Sequence, residues 1–223
     1  MALYDSPDLL ARTKRLAKRP TSDEDITDAQ FYIYLQEAQT HWMAQLASLV
    51  PESNYGAPEL LTTADSGYTY TLTSEPIGGH LELKASLTGV PLLPSTDWGS
   101  GDFVMEGQTI RIPGGRSRTF TGGPYARYVK SPGLLDGSNP PVLKPAWCRL
   151  LLPPRACYLF ALEGGVRDPN PYRALEQKLW AGDPDFAGDG GFLQALKTQY
   201  FGAGAQSVAG TGGLWWQGNP DLT

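Results

Sequence analysis

The sequence predicts an α+β protein: a helical base made from both ends of the chain carries an inserted antiparallel β domain, a small barrel or sandwich. Apolar residues recur with helical spacing near both ends, whereas in the middle they alternate with polar residues as in strands. Glycine and proline, 26 and 19 of 223 residues, fall mainly after Pro51 and favour turns there. The predicted parts are an N-terminal helical part (1–51), the β domain (52–145), a C-terminal helical part (146–201) and an extended docking tail (202–223).

Two helices are predicted in the N-terminal part. Ser6 followed by Pro7 is typical of a helix start, because the serine oxygen accepts from free amides and proline suits the first turn. This helix is expected to run to about Lys18. Thr27 and Gln30 have the spacing of a capping box, which predicts the start of a second, longer helix.

The second helix carries one stripe of apolar side chains at spacings of three and four, until Pro51 ends it. Such a stripe is typical of core packing, and contact with a neighbouring subunit is the alternative. Under that alternative the candidate subunit-interface residues are Phe31, Leu35, Trp42 and Leu46.

The middle of the chain predicts strands joined by tight turns. One hairpin is expected to turn at Gly78-Gly79, and a second to join residues 103–105 to 110–112. A further strand pair is expected at 119–120 and 126–129.

Three helices are predicted after Pro153-Pro154, at 156–163, 171–180 and 191–201. The glycine-rich tail that follows contains the partner-binding candidates Leu214, Trp215 and Trp216. Large adjacent aromatics carry much of the energy of protein interfaces, so this tail is expected to dock onto another chain. Folding of both tryptophans back onto their own domain is the alternative.

The sequence offers little for catalysis, so no enzyme and no cofactor are predicted. The usual general base is histidine, and His41 and His80 both stand where packing or surface roles are common. Asp183, Asp185 and Asp189 could bind calcium, or they could simply lie in turns between helices. Their spacing departs from that of a standard calcium loop, and the closing glutamate of such a loop is missing. No metal is therefore predicted.

The net charge is −5 and the isoelectric point is about 5.0, which argues against a protein that grips nucleic acid. A mildly acidic surface instead suits DNA that slides past. No apolar stretch long enough for a membrane span or signal peptide is present, so we expect a soluble protein made in a cytoplasm. One basic run suggests a solvated helix face or, alternatively, docking onto an acidic partner: Arg12, Lys14, Arg15, Lys18 and Arg19.

The order of these parts resembles the head-to-tail adaptor (connector, or head completion) proteins of long-tailed bacteriophages. The residues that carry the resemblance are the N-terminal helix pair at 8–10 and 26–49, the C-terminal helices at 155–162 and 172–200, and a β-rich insertion that includes 107–112 and 120–125.

The resemblance implies a structural virion protein made in the host cytoplasm, with no membrane partner. Its copies would form a ring, commonly of twelve, in the neck between the portal protein and the next tail or neck protein. Genomic DNA would pass through the lumen without sequence-specific binding. Leu214, Trp215 and Trp216 would engage the portal or the adjacent subunit.

Two alternatives remain open from the sequence. One is another structural role in the particle, as a tail or decoration protein. The other is a carbohydrate-binding or glycan-active β domain, because exposed aromatic rings stack on sugar faces. The aromatic residues that suggest it are Trp98, Tyr125, Tyr128 and Trp147.

Overall fold

The predicted α+β class is confirmed. The structure is a computed structural model and describes residues 4–18, 27–50, 54–61, 63–65, 69–94, 102–112, 124–164, 168–183 and 190–201. Within these ranges lie two small antiparallel sheets, with no closed barrel, and five α-helices. The helices are α1 (Ser6–Leu16), α2 (Asp28–Leu49), α3 (Leu152–Gly164), α4 (Asn170–Ala181) and α5 (Gly191–Phe201).

The N-terminal helices begin through side-chain caps. The predicted capping box of α2 is present: the Gln30 amide donates to the Thr27 side chain, and the Thr27 amide donates to Gln30 Oε1 at 2.8 Å. The prediction for α1 is wrong by one residue, because Asp5 is the cap and accepts from the Asp8 amide at 3.0 Å. Ser6 lies inside the helix, and its hydroxyl donates to a distant backbone carbonyl.

One hydrophobic core unites the helices of both chain ends. α3 lies at its centre and packs against α1, α2 and α4, while α5 packs against α4. Long-range contacts tie the ends together; for example, the Cys157 thiol donates to the Thr13 carbonyl at 3.4 Å. Neither terminal part buries its apolar face alone, so the base requires both.

The β domain consists of two four-stranded sheets. The first has the order β1 (Glu59–Leu60), β8 (Tyr125–Tyr128), β4 (Leu81–Lys84), β5 (Pro91–Leu92), and the second β2 (Thr63–Asp65), β3 (Thr69–Thr71), β7 (Thr109–Arg111), β6 (Val104–Glu106). Both contribute to one apolar cluster, in which Leu83 and Ala126 of the first meet Tyr70 and Ile110 of the second. This shared core makes the domain a small sandwich.

The hairpin predictions had different outcomes. β6 and β7 form the expected hairpin around Gly107, whose φ of 58° suits a tight turn. The hairpin predicted at Gly78-Gly79 is wrong, since β3 and β4 belong to different sheets. Gly78 instead lies in a short 3-10 helix beside Ala47 of α2. β8 pairs with β1 and β4, and residues 119–120 lie outside the described residues.

An extended segment, residues 130–144, leads the chain from the β domain back to the helical base; we call it the strap. Leu135 and Leu143 of the strap are buried in the helical core. The side chains of two α2 residues and of Asn54 accept hydrogen bonds from its backbone amides. These bonds join the Leu135 amide to Gln36 (2.8 Å), the Val142 amide to Gln39 (2.9 Å) and the Lys144 amide to Asn54 (3.0 Å).

A second polar network fixes the start of the strap to the β domain. The Glu59 carboxylate accepts from Lys130 at 2.6 Å, from the Thr73 hydroxyl at 2.8 Å and from the Tyr128 hydroxyl at 3.1 Å. Burial alone would raise the pKa of Glu59, but these hydrogen bonds outweigh it and lower that pKa. The strap is thus anchored to both parts of the molecule.

The buried stripe of α2 leads to a stability prediction. Leu35 is fully buried, whereas Ile33, two residues away on the same helix, is 57% exposed. We expect Leu35→Ala to lower the free energy of unfolding by about 2 to 5 kcal/mol, because it leaves a cavity in the base. Ile33→Ala, the matched control, is expected to change it by about 0.5 kcal/mol or less. Urea denaturation measures both, and equal losses would contradict this description of the core.

Candidate functional site

The four candidate interface residues on α2 lie inside the chain's own core. Phe31, Leu35 and Leu46 are fully buried and Trp42 is 5% exposed. The Trp42 ring lies 4.9 Å from that of Trp180 on α4. This is the core-packing interpretation of the stripe, and it leaves these side chains no surface for a neighbouring subunit. Any contact between copies has to use other residues.

The predicted docking residues Leu214, Trp215 and Trp216 lie outside the described residues, as do Asp185 and Asp189. Asp183 is described: it is buried and forms an ion pair with Lys178 at the end of α4. No group of three or more potential metal ligands occurs among the described residues.

The aromatic residues that suggested sugar binding do not come together. Tyr128 is fully buried in the core of the β domain, whereas Trp147 packs edge-on against Phe192 in the helical base, with ring centroids 4.9 Å apart. Tyr125 is partly buried, and Trp98 lies outside the described residues. The three described members of this set therefore do not form a shared aromatic platform.

A groove of about 450 Å³ lies between α1, α3 and α4 in the helical base. Pro153 and Pro154, in the first turn of α3, form its buried floor. Arg15 on α1 is exposed. The remaining lining residues are partly buried: Arg12, Leu16, Leu150, Leu175 and Leu179. The groove is thus apolar, with two guanidinium groups among its lining residues.

The sequence explains why the groove is apolar. Prolines are tolerated in the first turn of a helix, where the amides have no helical partner, so α3 begins with an apolar surface and no free amide there. Leu175 and Leu179 are four residues apart on α4 and so share one face of that helix. α1 supplies the basic residues at the third wall.

A charged pair made of the sequence neighbours of two groove residues joins α3 to α4. Arg155 follows the proline floor on α3, and its Nη1 lies 3.6 Å from Oε2 of Glu176, which follows Leu175 on α4. The Glu176 side chain is 7% exposed. Burial raises the pKa of Glu176 and outweighs the opposing charge of Arg155. The pair joins the two helices that form opposite sides of the groove.

His41 of α2 completes this cluster. Burial, and then the positive charge of Arg155, lower the pKa of His41 to about 4. Its ring meets the Trp42 ring edge-on, with centroids 5.5 Å apart. His41 is therefore neutral at pH 7 and packs in the wall of the bundle, which agrees with the packing role expected from the sequence.

Sequence reasoning missed the groove. Two of its residues, Arg12 and Arg15, belong to the basic run for which docking onto an acidic partner was an alternative. Lys14 of the same run is buried and pairs with Asp28, so the run is not one uniform solvated face. The arrangement is suited to binding an apolar segment that carries negative charge nearby; the lining residues include no nucleophile.

A second exposed apolar feature lies in the β domain. The loop between β4 and β5 exposes Leu87 and Val90, of which Val90 is 83% exposed, and Leu93, which directly follows β5, is exposed as well. The Leu93 amide donates to Asp102 at 3.0 Å, which holds the chain just after β5.

No helix among the described residues is both long and apolar enough to cross a membrane. No protein-family profile matches the chain, and no curated protein matches its sequence.

The cluster of Arg155, Glu176 and His41 leads to a pH prediction. The folded-state pKa of His41, about 4, lies below its ordinary value of 6.5, so its contribution to stability is full above pH 6.5 and is lost as the pH falls towards 4. We expect the stability difference between the wild type and His41→Gln to shrink over that window. Because the wild type and the variant share all other titrating groups, groups distant from His41 contribute equally to both and drop out of the difference.

Denaturation at a series of pH values, together with NMR titration of the His41 ring, checks this. An NMR pKa near 6.5 would contradict the described burial of the ring.

Proposed function

We propose that this chain is a head-to-tail adaptor, a structural virion protein whose copies form a ring between the portal and the tail or neck. The observation that carries the proposal is the architecture: helices from both chain ends form one base, and a β domain is inserted between them and returned to the base by the strap. That is the arrangement implied by the resemblance to adaptors of long-tailed bacteriophages.

The charge of the chain supports a role around a DNA conduit. The net charge is −5, and a surface of like charge repels the phosphates of a passing genome. A lumen lined with cations would instead bind DNA tightly and slow its passage.

The exposed surfaces support contacts between copies that are not symmetric about a twofold axis. The groove on the helical base and the exposed apolar residues Leu87, Val90 and Leu93 lie on different parts of the chain. Contacts between unlike surfaces generate rings when the rotation closes. Because the α2 stripe is buried, such surfaces and the tail are the candidates for forming the ring and binding the portal.

Electron microscopy of the full chain mixed with the portal protein of the same virus tests the proposal. We expect a ring of this protein that caps one end of the portal. The triple variant Leu214→Ala, Trp215→Ala, Trp216→Ala is expected to lose this association, because large aromatics carry most interface energy. Leu134→Ala, which changes an 80% exposed residue of the strap, is the control and should still form the ring.

The alternative structural roles give different outcomes. Binding to the tail tube without binding to the portal would indicate a tail protein, and binding to the capsid shell would indicate a decoration protein. Either result overturns the adaptor proposal, as does a mixture in which the chain and the portal stay separate.

A further inference from the structure

We propose that the groove between α1, α3 and α4 is the docking site for this chain's own segment Leu214–Trp216, which binds it within one molecule before the protein meets its partner. The contact involves a single chain, so it does not depend on the adaptor proposal.

The chemistry of the groove matches that of the segment. Leu16, Leu150, Leu175 and Leu179 offer side chains that remain only partly buried, above a floor of prolines. The side chains of a leucine and two adjacent tryptophans can cover such a surface. Burial of apolar area contributes a favourable free energy of about 25 cal/mol per Å².

The charges of the two partners are also complementary. Arg12 and Arg15 line the groove, and a guanidinium next to an indole face is attracted to its π electrons. The Arg12 guanidinium already lies over the ring of Tyr4, 5.1 Å from its centroid, and pairs with Asp8 at 2.9 Å, so the exposed Arg15 is the better placed of the two to attract an incoming segment. Asp221, five residues after Trp216, is the only charged residue after Phe201 in the sequence and has the sign that Arg15 attracts.

The length of the connection allows the contact within one chain. α5 packs against α4, and α4 supplies Leu175 and Leu179 to the groove. α5 is 11 residues long and therefore spans about 16 Å. A glycine-rich chain of the length that separates Phe201 from Leu214 has a root-mean-square span of about 20 Å. The connection after Phe201 is therefore comparable in span to the length of α5, the helix that packs on α4.

Intramolecular docking is favoured over docking between copies when the protein is dilute. A short connection within one chain gives the segment an effective concentration on the order of millimolar at the groove. Free copies at micromolar concentration compete poorly with it. A partner that binds Leu214–Trp216 then has to displace this segment from the groove. The partner's apparent affinity is therefore reduced in proportion to the fraction of chains in which the segment is undocked.

Photo-cross-linking in the full chain tests the inference. The cross-linking residue p-benzoylphenylalanine replaces Trp216, and equal amounts of isotopically light and heavy protein are mixed at micromolar concentration before irradiation. Mass spectrometry then identifies the linked peptides. We expect links to the groove segments 12–16, 150–154 and 175–179, and only light–light and heavy–heavy pairs.

Two groove variants and one control make the result specific. Leu175→Glu places a charge on the apolar wall, and Arg15→Glu reverses the exposed basic side chain; each is expected to lower the yield of the groove links about tenfold. Leu134→Glu changes an exposed residue of the strap and should leave the yield of the groove links unchanged. Circular dichroism establishes that each variant is folded, and Arg15→Glu, at an exposed position, keeps the test valid if Leu175→Glu unfolds.

Links from position 216 to any other surface, or yields that the groove variants do not change, overturn the inference. Light–heavy pairs at the groove overturn its intramolecular form and assign the segment to the groove of a second copy. None of these results depends on the portal, so the adaptor proposal and this inference fail separately.

Discussion

The burial of one face of α2 is the constraint on which the rest of the structure depends. That face is longer than any single neighbour, so α1, α3 and the strap are all needed to cover it. Gln39, on the same face, is 1% exposed and satisfies its carbonyl with a strap amide. A buried amide left without a partner destabilises a core, so the strap is required by the polar groups of α2 as well as by its apolar ones.

The class and most helices were predictable because their signals are local. The capping box at Thr27 and Gln30 involves residues three apart, and its hydrogen bonds form as expected. The hairpin predicted at Gly78-Gly79 was wrong because a glycine pair indicates a change of chain direction but does not identify which strands the flanking strands pair with. β3 pairs with the strand before it, β2, and β4 with the strand after it, β5, so the glycine pair lies between two different strand pairs. The other partners, β7 and β8, follow much later in the chain, so the separation into two sheets is completed by long-range packing.

The candidate site was less predictable than the fold. Its walls come from three segments far apart in sequence, and its floor consists of two prolines that read locally only as a helix boundary. Arg155 and Glu176 likewise look like ordinary charged positions on amphipathic helices, and only the packing of α3 on α4 makes them a buried pair. Periodicity identified the stripe of α2 but left open whether it faces its own core or another subunit.

The way the strap and α3 close the base has a consequence for the order of folding during synthesis. α1 and α2 are synthesised before their main covering partner, α3, which begins more than 100 residues after α2 ends. The strands of the β domain all lie between them and find each other within a shorter stretch of chain. A nascent chain therefore holds two helices with an uncovered apolar face while its β domain is already complete. Contacts of this sequence separation are closed slowly, which places the formation of the base last.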